Sequence, residues 1–168
     1  MEEWNKLLSS KAEDVESALE VAKEKGDIRW VRPLLEAFRD ASDGAIQEAI
    51  REVLASLKIS EAGDIFHDVL EDPDFEGMQA DIIGFMWSTT LMPEEALLAV
   101  TRAGVSGDFR CAMEALTWIE QIEGVANEND LLEAILLVRG AVEDSERMEI
   151  WPLAQPMLDA LQAMERAQ

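Results

Sequence analysis

Apolar residues in this chain return at a fixed interval. Phe38, Ile46, Ile50, Val53 and Leu54 recur 32 positions later as Leu70, Met78, Ile82, Phe85 and Met86, and a further step of 33 carries the last four to Cys111, Ala115, Trp118 and Ile119. From Ile46, Met78 and Cys111 onward the residues of each set are four, three and one apart, the spacing of one helix face. A unit of this length holds two helices and a turn. Alone it cannot bury its apolar side, so it must stack on a neighbour. The expected fold is all-α, with helix pairs in series around a continuous core.

Composition agrees. Hydrophobic residues make up 48% of the 168 residues while aromatics are 6% and Tyr is absent, a bias toward the small and aliphatic side chains that let helices approach closely. The length suits one domain over 1–168, able to bury roughly two thirds of the surface its unfolded chain exposes. The expected order is an N-terminal cap over 1–26 followed by helix pairs at 28–57, 60–90, 93–123 and 127–166.

Local signals punctuate that order. Trp4, Leu7 and Leu8 predict a short capping helix, and Ser10 with Glu13 has capping-box spacing for a helix from Lys11 to Lys25, with Gly26 as its left-handed exit. Pro33 stands early in the next helix, where a missing amide costs least. Turns are expected at Ala41–Gly44, Glu71–Asp74 and Gly104–Asp108, with Asp74 and Asp108 as N-caps. Pro152 and Pro156 predict a kinked or broken last helix between Ser145 and Arg166.

The segments Pro33–Asp40, Ala49–Leu54 and Val69–Asp74 resemble HEAT-like repeats, well across residues 28–90 and less so to about 123. The resemblance implies a short right-handed α–α superhelix of the armadillo type, used as a protein-binding scaffold or adaptor. HEAT-like units usually place an Arg early in the second helix. Here the matching positions hold Gln47, Gln79 and Ala112, which removes the basic ladder that nucleic-acid-binding relatives need.

Charge narrows the partners. The formal net charge is −22, unevenly spread: residues 1–58 carry nine Lys or Arg against thirteen Asp or Glu, whereas residues 59–168 carry five against twenty-three. Such a field repels phosphate backbones and anionic lipid surfaces, which argues against nucleic acid and membrane as partners and for a protein with a basic surface. The acidic start lacks the basic and apolar parts of a secretory signal, and the longest apolar run, Ala134 to Val138, is too short to span a bilayer. With one cysteine, these features predict a cytoplasmic protein.

No catalytic constellation emerges, and no cofactor or metal is expected. His67 follows Asp64 by one turn, a single copy of a spacing that di-iron sites need twice. Asp72–Gly77 imitates the start of a calcium loop but has Ile83 where a bidentate Glu is required. Cys111 falls on the buried phase of its helix, and Met78, Met86 and Met157 are in core phase. Trp87 lies beside the buried phase. The second helices of HEAT-like stacks line the inner curve, so Glu48, Glu52, Asp81, Trp87, Glu114 and Gln121 are the candidate partner-binding residues. The expected function is a non-catalytic scaffold or adaptor with an acidic inner face. The alternatives are an enzyme-assisting or lyase-like HEAT protein with a pocket between helix pairs, or an acidic inhibitor of a basic toxin or nuclease.

Overall fold

Thirteen of the fourteen repeat positions are buried, Ile46 alone being half exposed, in a computed structural model that describes residues 2–57 and 59–168. Every regular element among the described residues is helical: α1 (Ala12–Lys25), α2 (Ile28–Asp40), α3 (Gly44–Ser56), α4 (Ala62–Leu70), α5 (Gln79–Ser88), α6 (Leu97–Ser106), α7 (Phe109–Gln121), α8 (Glu128–Glu143) and α9 (Trp151–Arg166), with short 3-10 segments between some of them. No described helix is long and apolar enough to cross a membrane. The chain divides between Ile65 and Phe66, within α4, into two compact units.

In the first unit a 3-10 segment, Glu3–Leu8, packs on α1 and α2, while α3 packs on both of those helices. Leu7 is buried, and Trp4 meets Trp30 edge-on at 5.9 Å with the Arg29 guanidinium 5.1 Å from its ring. Leu8, expected to help cover the stack, is 50% exposed. Helix α2 starts where Asp27 accepts from the Arg29 amide, and α3 where Asp43 accepts from the Ala45 amide. Gln47 takes over a task at the end of α2, its amide donating to the carbonyls of Phe38 and Ala41.

Two expectations fail here. Ser9 rather than Ser10 organises the start of α1: its hydroxyl donates to Asp14 at 2.7 Å and accepts from the Lys11 amide at 3.1 Å. Gly26 is extended, at φ −63° and ψ 139°, not left-handed. Its lack of a side chain serves proximity, because a Cβ there would run into the Ala22 carbonyl and lie 3.0 Å from Leu57.

In the second unit α5 packs on α7 and α7 on α9 to form one layer, α6 packs on α8 to form the other, and α6–α7 and α8–α9 contacts join the layers. Contact between every second helix is the order of stacked pairs, compatible with a helical repeat. Trp118, Ile119, Ile82 and Met86 form much of the seam, each fully buried and contributing roughly 2 kcal/mol of transfer free energy. Phe66 and Phe85 stack at 6.4 Å. Met78, Met86 and Met157 are core residues, as their phase predicts.

The connections differ from the sequence reading. Asp72, not Asp74, is the capping carboxylate of its turn, accepting from the Asp74 amide at 2.9 Å, and α5 begins without a side-chain cap. The same turn drives Phe75 fully into the core, and Gly77 follows it at φ +89°, where a side chain would strain the backbone. Asp108 does cap α7, accepting from the Cys111 amide. Gly104 is no turn residue: α6 continues to Ser106, and Gly104 is buried inside it. A break does fall within the expected span Ser145–Arg166, but not at the prolines. Pro152 sits in the first turn of α9, where its missing amide costs nothing, and the helix continues through Pro156. The interruption falls earlier, in the 3-10 segment Ser145–Ile150, at the non-helical Arg147.

Helix α5 ends in a Schellman motif, with the Thr90 amide donating to Trp87 and the Leu91 amide to Met86. The left-handed position belongs to Thr90, at φ 60°, a conformation that penalises a β-branched residue. Thr90→Gly should therefore raise stability by about 0.5–1 kcal/mol in chemical denaturation. An unchanged or lower midpoint would show that the motif carries no strain.

Candidate protein-docking surface

The structure brings four of the six predicted residues onto α5, α7 and the ends of those helices, while Glu48 and Glu52 lie exposed on α3 of the first unit. Glu48 is 3.4 Å from Arg51. Asp81, nearly buried by its neighbours, receives a hydrogen bond of 2.6 Å from Arg110 one helix away. That contact holds the Arg110 guanidinium above its ordinary range. Trp87 is half-buried, and its indole N–H donates to the Glu114 carboxylate at 2.6 Å. Gly84 lies against the same carboxylate: a Cβ there would stand 3.4 Å from its oxygen, in ordinary van der Waals contact.

Asp81, Trp87 and Glu114 thus tie α5 to α7 while keeping one edge toward solvent. Gln121 is exposed at the far end of α7, beside a notch of about 520 Å³ that Glu94 and Glu123 also line.

The residues that sequence reasoning missed are apolar. Phe109 and Met113, one turn apart on α7, are 47% and 46% exposed, and Met148, in the 3-10 segment that packs against α7, is 57% exposed. Their signal was available: an aromatic and a methionine four apart on the polar phase of an amphipathic helix have no core to enter. A second stripe, Leu132 and Leu136 on α8, is likewise exposed. Its surroundings differ, because Arg139 is exposed there and Arg102 bridges Glu133 at 3.6 Å.

Charged residues of both signs border both stripes: on α7 the exposed Arg110 stands between Phe109 and Met113 and is bonded to Asp81. Residues 66–168 hold twenty-one acids and five bases, and Arg102 and Arg139 border the α8 stripe. Arg147 is committed to the carbonyls of Val105 and Gly107. The α7 stripe has Glu114 on one flank and the exposed Glu120 near its end.

A cleft of about 530 Å³ lies elsewhere in the unit, lined among others by Glu71, Glu76, Arg102, Asp108, Arg110 and Cys111. The Cys111 thiol is buried and donates to the Ala103 carbonyl at 3.2 Å; burial first, then Asp108, pushes its pKa up to about 11. At neutral pH it is a protonated packing group rather than a nucleophile. His67 is half-buried on α4, and the described residues contain no group of three or more His, Cys, Asp or Glu able to hold a metal ion. The Asp72–Gly77 loop spends its first carboxylate on its own backbone and its Phe75 on the core.

Fold and surface define an all-α protein of packed helix pairs with an acidic, partly apolar face. No protein-family model matches the chain, and no curated protein matches it.

Proposed function

We propose that the chain is a HEAT-like helical-repeat protein that acts as a non-catalytic scaffold or adaptor, binding a basic protein through the exposed face of α5 and α7. The observation that carries this reading is the pair Phe109 and Met113, exposed one turn apart in a unit with twenty-one acids against five bases. Isolated exposed hydrophobes are ordinary on protein surfaces, but an aligned pair beside a half-buried Trp offers the apolar anchors from which binding energy comes. The surrounding acids speed and select encounters rather than supply most of the affinity.

Capture of basic polypeptides from an extract of the native organism tests the reading when three baits are compared. The wild-type chain should retain a partner at low salt and release it at high salt. Phe109→Ser with Met113→Ser should weaken retention about tenfold or more, while Leu136→Ser on α8 should leave it unchanged. Retention indifferent to the double substitution, or to salt, would contradict the proposal.

A further inference from the structure

Building on that docking reading, we propose that the occupant of the face is a single amphipathic helix with basic flanks, laid along α7. The apolar side chains follow the helix axis. Phe109 and Met113 stand four residues apart, half-buried Leu116 borders the same side, and exposed Glu120 lies eleven residues beyond Phe109. That length is about 16 Å at the helical rise. A ridge of this kind offers the spacing that an i, i+4, i+7 pattern of apolar residues can match, as in helix-in-groove recognition.

The chemistry of the ridge suits an occupant selected by pattern more than by sequence. Met113 on the ridge, and Met148 in the 3-10 segment that packs on α7, are exposed, unbranched and polarisable, so they adjust to differently shaped partners. Met148 has a fixed base, because neighbouring Arg147 anchors its segment to the end of α6 through Val105 and Gly107.

Charge selects the occupant. The carboxylates of Glu114 and Glu120 border the ridge, Arg110 beside Phe109 is paired with Asp81 at 2.6 Å, and the unit around them holds twenty-one acids against five bases. A helix flanked by Lys and Arg complements this field. A second copy of the chain brings its own −22 and is repelled. The α8 stripe, with Arg139 and the Arg102–Glu133 pair beside it, is an exposed apolar pair on another helix of the same unit and serves as the internal control.

The test uses the full chain and labelled synthetic peptides of about 14 residues made of Leu and Lys. One peptide has Leu at helical spacing, one has the same composition reordered to break the stripe, and a third replaces Lys by Glu. Fluorescence anisotropy should show the striped Lys peptide binding at least about tenfold tighter than either of the others, and circular dichroism should show it gaining helix on binding. Phe109→Ala with Met113→Ala should weaken it about tenfold, Met113→Leu should retain it, and Leu132→Ala with Leu136→Ala should leave it unchanged. Thermal unfolding verifies that these surface variants remain folded.

Equal binding of the two Lys peptides would mean attraction by charge alone and overturn the inference. So would a double α7 variant that binds like wild type. If extract capture depends on Phe109 and Met113 while the peptides fail, the helical occupant is wrong and the docking surface stands; if both fail, both fall.

Discussion

Replacing Gly104 with Val should destabilise the protein by about 3 kcal/mol, although glycine is a poor residue for the middle of a helix. Gly104 is buried where α6 meets α7, and a Cβ built on it stands 2.6 Å from the Cβ of Ala115 and 3.5 Å from the Met157 methyl. Packed carbon atoms need roughly 3.5–4 Å, so any side chain pushes the two helices apart. Valine adds two further methyl groups and a restricted χ1. The contrast is Gly140, on the exposed face of α8, where a Cβ meets nothing within 4 Å. Gly140→Ala should gain the ordinary helix-propensity benefit of about 0.5–1 kcal/mol. Urea denaturation of both variants gives the answer. Equal signs for the two substitutions would show that α6 and α7 are not in close contact at Gly104.

Arg147→Met should cost about 2 kcal/mol, a large effect for a residue that is not in the core. Its Nε donates to the Val105 carbonyl at 3.1 Å and its Nη2 to Gly107, some forty residues back in the chain, while Nη1 bonds Glu149 at 2.6 Å. The first two acceptors are free carbonyls at the C-terminal end of α6, where a positive charge is also favoured by the helix dipole. Methionine keeps the aliphatic stem and removes the donors. Lysine restores the charge but not the planar fork, so Arg147→Lys should recover only part of the loss. A Met variant as stable as wild type would show that water satisfies those carbonyls equally well. Since the same guanidinium fixes the segment carrying Met148, Arg147→Met should also weaken partner binding.

The core was legible because it depends on periodicity, which a sequence displays directly. The register from Ile50, Val53 and Leu54 through Ile82, Phe85 and Met86 to Ala115, Trp118 and Ile119 is buried without exception. Helix starts were legible where the cap is a local carboxylate, as at Asp108. They were missed where two nearby residues compete, as Ser9 with Ser10 or Asp72 with Asp74, because the choice depends on the path of the incoming chain.

Glycine and proline misled for a related reason. Gly26 and Gly104 read as turns but are small because Leu57 and Ala115 stand close by, a tertiary fact with no local signature. Pro152 read as a helix breaker but lies in a first turn, and the actual interruption, at Arg147, is stabilised by acceptors about forty residues away. On the candidate surface, Trp87 and Glu114 were legible separately by phase, but their hydrogen bond joins residues 27 apart and depends on how α5 packs on α7. Phe109 and Met113 lie on the polar phase of α7, where burial periodicity carries no signal for them.

In the proposed complex the acids steer and the α7 ridge holds, and stopped-flow kinetics of a captured basic partner separates the two most directly. Between about 50 and about 500 mM salt the association rate constant should fall about tenfold or more while the dissociation rate constant changes little, and Phe109→Ala with Met113→Ala should accelerate dissociation instead. An association rate indifferent to salt, or dissociation unchanged by loss of both side chains, would contradict it.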